Sequence, residues 1–127
     1  MFKRDDYSAS ILRVATSAEI SENIFVRNFL STDHKLPAKY VISLLFSSNG
    51  LDEKFKRLIC PAAEYQENWK EIKTIQKQIE LLNGHRNAIA HSGYFKSKED
   101  AKSDFNNSLN IIQTLSPNEA NKLKLPF

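Results

Sequence analysis

Apolar residues recur at helical spacing along most of the chain. From Tyr7 to about Ser31 they follow one another at steps of three, four or seven residues, the periodicity of an amphipathic helix. Pro37 is placed to open a second helix, which Asn49 and Gly50 end. The residues that carry the stripe of the first helix are Ile11, Ala15, Ala18, Phe25 and Phe29.

A short helix is predicted next, from Asp52 until just before Cys60 and Pro61. It should end there because the residue before a proline is sterically pushed out of the helical region. In this helix Phe55 and Leu58 should face inward, while Lys54 should face solvent.

The longest periodic segment covers about residues 64–91, and Ser92 with Gly93 should end it. Ser97 and Asp100 then have the spacing of a capping box for a last helix, which should close at Ser116. Four substantial helices, one short helix and short connections predict an all-α fold, an antiparallel bundle of four main helices plus one short helix. We expect one domain over residues 1–127, with its core at about 7–115.

Composition fits this class and limits the chemistry. The chain has 127 residues, 41% hydrophobic and 26% charged, which is an ordinary globular mixture and not a disordered or low-complexity one. A net charge of +3 permits contact with a polyanion without demanding it. One cysteine and three histidines have no zinc-ligand spacing, so we expect chemistry without a metal or other cofactor. With no signal peptide and no long apolar run, we expect a cytoplasmic protein without membrane contact.

Two charged residues fall within apolar stripes. Glu22 lies inside the stripe of the first helix, and Arg86 continues an apolar line in the long fourth segment. An unpaired buried charge costs several kcal/mol, so we hypothesise that Glu22 and Arg86 form an ion pair. The pair can belong to a functional site, or it can be purely structural, with both side-chain ends reaching water.

His91 offers the candidate chemistry on the same segment. Histidine titrates near neutral pH and can move a proton, while arginine stabilises charge on a phosphate in its transition state, so His91 and Arg86 suit RNA backbone cleavage. Asn87 lies one turn before His91 and could orient it or a phosphate. His91 is about 140° round the helix from Arg86, so the last turn would have to loosen at Ser92 and Gly93 for the two to meet.

One histidine cannot easily both accept and donate the protons of this reaction. A two-fold dimer would supply a second histidine and a second arginine to a shared cleft. Ile20 and Ile24 lie opposite the apolar stripe of the first helix, where either the dimer or another helix of the same chain could cover them.

The run from Arg86 to His91, Arg-Asn-Ala-Ile-Ala-His, resembles the motif of the HEPN superfamily of small helical bundles. That motif is an arginine, four to six residues and a histidine, often with a polar residue such as Asn87 directly after the arginine. The resemblance implies a metal-independent endoribonuclease, dimeric, acting on RNA as a toxin with a cognate antitoxin or regulatory protein, or as a defence effector. It implies Arg86 and His91 as catalytic residues, supported by Asn87 and Glu22.

Other interpretations remain open. Arg27 and His34 match the same motif, but residues 31–33 should break the helix between them. His85 should be a solvated helix residue. A non-catalytic HEPN-like module that binds a protein partner or a nucleotide is the main alternative, and a helical scaffold whose charged pair only assists folding is another.

Overall fold

The computed structural model describes residues 4–48, 50–65, 67, 69–92 and 97–118, and within them the regular structure is entirely helical. This confirms the all-α class. The α-helices are α1 (Arg4–Arg27), α2 (Ala38–Ser47), α3 (Leu51–Lys54), α4 (Cys60–Ala63), α5 (Trp69–Thr74), α6 (Gln76–Ser92) and α7 (Lys98–Leu115).

The first helix does not break where the sequence suggested. After Arg27 the chain widens into a π-helical segment, Asn28–Asp33, in which the His34 N–H donates to the Phe29 carbonyl five residues back at 3.2 Å. The polar residues 31–33 are tolerated there, and the turn comes at Lys35, whose φ of 56° lies in the left-handed region.

The short third helix also runs further than predicted. Helical structure continues from Leu51 to Ala63 through a π-helical segment, Phe55–Ile59, so the expected end before Pro61 is wrong. A proline removes one backbone donor and crowds the preceding turn, and the wider π-helical register directly before it relieves that conflict.

The long fourth segment is two helices, α5 and α6, separated at Ile75. The last helix begins as predicted. Ser97 caps α7 by accepting from the Asp100 N–H at 3.2 Å, and Asp100 accepts in return from the Ser97 N–H at 3.4 Å. The capping box is therefore confirmed.

The packing of three long helices positions the site. α1 makes its most extensive contact with α7, and α6 contacts both of them. Small polar residues bring α1 and α7 close: the Ser108 hydroxyl donates to the Val14 carbonyl at 2.7 Å, and the Ser116 hydroxyl donates to the Ser21 carbonyl at 3.1 Å. Because α6 contacts both α1 and α7, its inner face lies against two different helices. One buried apolar cluster includes Val14, Ala18, Val41, Leu51, Phe55, Ile72, Ile79, Leu82 and Ile111.

Candidate functional site

Glu22 is as deeply buried as the sequence predicted. Its relative exposure is 0%, and neither carboxylate oxygen has a hydrogen-bond partner among the described residues. Burial raises the pKa of Glu22 well above its ordinary value, more than the nearby Lys54 charge lowers it. The carboxyl group is thus favoured in its neutral form.

The hypothesised ion pair between Glu22 and Arg86 is wrong, because Arg86 pairs with Glu19. Nη1 of Arg86 donates to Oε1 of Glu19 at 2.7 Å. Glu19 lies three residues before Glu22 on α1, at the rim of the buried stripe, and the Arg86 side chain keeps 32% of its surface exposed. The pair at the rim avoids the larger desolvation cost of placing a guanidinium beside the fully buried Glu22.

Glu19 also holds a second cation that the sequence analysis misplaced. Oε2 of Glu19 accepts from Nζ of Lys54 at 3.1 Å, and the same ammonium donates to Oδ1 of Asn23 at 2.7 Å. Lys54 was expected to face solvent, but its side chain is only 4% exposed. Lys54 lies three residues after Leu51 and four before Leu58, and this spacing is the signal that it belongs to the inner face of this helix.

These contacts fix the charge of the cluster. Burial raises the pKa of Glu19, but hydrogen bonds from Arg86 and Lys54 outweigh it, so the pKa of Glu19 lies below its ordinary value. Glu19 is therefore ionised, and its one negative charge faces two cations. Two cations therefore surround the single carboxylate of Glu19, and the neutral form that burial favours for Glu22 adds no charge to them.

The structure does not bring His91 to Arg86. Both lie on α6, which remains α-helical through Ser92, so the loosened turn that their meeting would require is absent up to Ser92, and Gly93 lies outside the described residues. In an α-helix, five residues separate the two side chains by about 7.5 Å along the axis and about 140° around it. Asn87 and His91 are exposed on the outer side of α6, whereas Arg86 turns inward to α1.

His85 was predicted to be solvated, and this is wrong. Its Nδ1 lies 2.8 Å and 2.7 Å from the two carboxylate oxygens of Asp104 on α7, which is fully buried. A hydrogen bond from Nδ1–H to a carboxylate fixes the tautomer of the ring and its orientation. The available signal was the position of Asp104 between the buried residues Ala101 and Ile111, the same anomaly that revealed Glu22.

The second match to the arginine–histidine motif does not form a second site of the predicted kind. Arg27 and His34 are exposed at the two ends of the π-helical segment, and the His34 ring packs against Phe29 with centroids 4.5 Å apart. On the outer side of α1, the helices of the described chain leave Ile20 50% exposed, while Ile24 is partly buried.

No protein-family model, curated protein or solved structure matches this chain. Within the described ranges, no three His, Cys, Asp or Glu residues converge as they would around a metal ion. The helices in that same part of the chain include none with the length and apolar character of a membrane span.

Proposed function

We propose that the protein is a metal-independent endoribonuclease of the HEPN type, a toxin or defence effector that cleaves cytoplasmic RNA. The observation that carries the proposal is the state of Arg86: a half-buried guanidinium, anchored by Glu19 at 2.7 Å, on the same helix as the exposed His91. An anchored arginine that still reaches solvent is suited to binding a phosphate.

The chemistry follows from these two side chains. His91 removes the proton from a ribose 2′-hydroxyl, and the 2′-oxygen attacks the adjacent phosphorus. The bond to the 5′-oxygen breaks, that oxygen takes a proton from the protonated second histidine of the dimer, and a 2′,3′-cyclic phosphate remains. Arg86 stabilises the extra negative charge that develops on the phosphate oxygens. Asn87 assists His91, and Glu19 takes the supporting role first assigned to Glu22 by holding the guanidinium in place.

The proposal requires a second subunit. Because Arg86 and His91 leave α6 in different directions, one chain alone does not direct both at one phosphate. In a two-fold dimer that brings both copies of α6 to one cleft, each phosphate faces two copies of His91 and an Arg86 of either subunit. The half-exposed Ile20 offers apolar surface for such an interface. The proposal includes the antiparallel bundle of four main helices, which the mutual packing of α1, α6 and α7 supports.

The test is an RNA cleavage assay in EDTA with the native protein, H91A and H34A. His34 is the matched control, since it is an exposed histidine remote from α6 in sequence. We expect the native protein and H34A to leave 2′,3′-cyclic phosphate ends, and we expect H91A to lose cleavage at unchanged melting temperature. Equal cleavage by H91A and the native protein would refute the proposal.

A second candidate function is a non-catalytic module that binds a partner protein or a nucleotide. The ion pair with Glu19 favours it, because linking α1 to α6 already gives Arg86 a structural role. This candidate predicts no cleavage of any RNA at high protein concentration, and it predicts that R86A shows only lost stability. A gel assay beside a thermal melt separates the two functions.

A further inference from the structure

A small pocket opens between α1 and α2, beside the charged cluster. Its volume is about 190 Å³, below the roughly 300–1,000 Å³ of sites for drug-sized ligands, so it suits a single ring system. Its walls combine polar residues of α1 with apolar residues of α2. We call it the α1–α2 pocket, and its lining includes Glu19, Asn23, Arg27, Ile42, Phe46 and Lys54.

The apolar wall of the pocket includes the exposed aromatic ring of Phe46. Phe46 is 78% exposed, and Ile42, four residues earlier on the same face of α2, is 46% exposed. Exposed aromatic rings are the platforms on which unpaired bases of RNA stack, because every base has a π-face.

The opposite wall carries groups that suit the edge of a base. Asn23 uses its Oδ1 to accept from Lys54, which leaves its Nδ2 amide as a donor at the same wall. Arg27 is exposed one turn further along α1, where a guanidinium can meet a backbone phosphate.

A single carboxylate joins this pocket to the proposed catalytic arginine. Glu19 binds Arg86 through Oε1 and Lys54 through Oε2, and both Glu19 and Lys54 line the pocket. A ligand in the pocket therefore lies beside the carboxylate that anchors the guanidinium.

We propose that the α1–α2 pocket holds an unpaired nucleobase next to the phosphate that is cleaved, so that the substrate is single-stranded RNA. The inference rests on the proposed function, since Arg86 is what relates the pocket to a phosphate. A base in a duplex is stacked and paired and cannot enter the pocket, so double-stranded RNA is excluded.

The experiment compares F46A with Y65A in the full-length protein. Tyr65 is the matched control: its ring is 79% exposed, and it lines a different, almost entirely apolar pocket. Each variant is made in the native protein for cleavage and in H91A for binding, measured by anisotropy of a labelled single-stranded oligoribonucleotide. Melting temperatures confirm that both variants are folded.

We expect F46A to lose roughly 10-fold or more in both affinity and kcat/KM, the effect of losing one stacked base. Y65A should stay within about twofold of its parent, F46W should restore binding, and a duplex of the same sequence should not compete. Loss of binding to the same extent in F46A and Y65A, or equal affinity for the duplex, overturns the inference.

The outcomes also separate the inference from the proposed function. Binding that depends on Phe46 without any cleavage by the native protein supports the pocket and refutes the nuclease. Cleavage that is unchanged in F46A supports the nuclease and overturns the pocket. Absence of both cleavage and binding refutes both.

Discussion

Arg86 donates to the carboxylate of Glu19 at 2.7 Å, while the more deeply buried Glu22 accepts no hydrogen bond among the described residues. Two carboxyl groups one turn apart on α1 therefore have opposite states. Glu19 is ionised and anchors two cations, and Glu22 is favoured as the neutral acid. The division leaves one charged carboxylate between the two cations, Lys54 and Arg86.

Replacing Glu19 tests whether this anchor stabilises the fold. E19Q leaves Lys54 and Arg86 without their counter-charge, and Lys54 is nearly buried, so we expect a loss of about 1–3 kcal/mol in the free energy of unfolding. Urea denaturation measures it. The matched control is E53Q, which removes an exposed ion pair with Arg57 and should cost less than about 0.5 kcal/mol. Equal losses in the two variants would contradict the anchoring role.

Glu22 should make stability depend on pH in a defined direction. Its pKa is raised in the folded state, so between the unfolded value of 4.5 and the folded pKa the native protein binds more protons than the unfolded chain. Stability therefore falls as pH rises through that window. E22Q has no carboxyl proton to lose, so its free energy of unfolding should not fall in this way. Within the window, the free energy of unfolding of E22Q relative to the native protein should rise by up to about 1.4 kcal/mol per pH unit.

Denaturation curves of E22Q and the native protein from pH 4 to pH 8 check this expectation. E71Q, which removes an exposed carboxylate, controls for the general effect of losing a negative charge. Stability curves of E22Q and the native protein that run parallel over this range would show that Glu22 does not titrate as its burial requires.

The contact between His85 and Asp104 should appear as coupling between α6 and α7. A double-mutant cycle with H85Q and D104N should give an interaction energy of about 1–3 kcal/mol, because each single variant leaves the other buried or half-buried group without this partner. The free energy of unfolding of the native protein, the two single variants and the double variant provides the cycle. Additive losses would mean that the contact contributes nothing.

Replacing Arg86 with lysine separates the anchoring role of this side chain from its proposed catalytic role. R86K keeps a positive charge opposite Glu19, so we expect stability within about 1 kcal/mol of the native protein. It loses the planar fork that binds a phosphate through two hydrogen bonds, so RNA cleavage should fall by at least about 10-fold. Full cleavage by R86K would indicate that only the charge matters, and would remove the argument for bidentate binding.

Helical periodicity predicted the α-class, the capping box of α7 and the burial of Glu22, because each depends on residues close together in sequence. It failed where local geometry departs from an ideal helix. The π-helical segment before Pro61 carried the third helix past its predicted end, since a widened turn accommodates a residue that an α-helix rejects.

The charged cluster was predicted in kind but not in detail. A helical wheel shows that α1 carries an acid facing inward, but which of two acids one turn apart meets Arg86 depends on where α6 crosses α1. Lys54 and Asp104 were within reach of the same reasoning, since both interrupt apolar stripes as Glu22 does. Lys54 was missed because α3 has only four residues, too few for a stripe to stand out.

Neighbouring residues of α6 pair with two different helices, Arg86 with α1 and His85 with α7. Because both contacts hold α6, the helix cannot rotate about its own axis without breaking the Arg86–Glu19 pair or the His85–Asp104 pair. The same two contacts therefore fix the outward direction of Asn87 and His91. A molecule that contacted this edge of α6 would therefore meet Asn87 and His91 on a helix face that cannot turn inward.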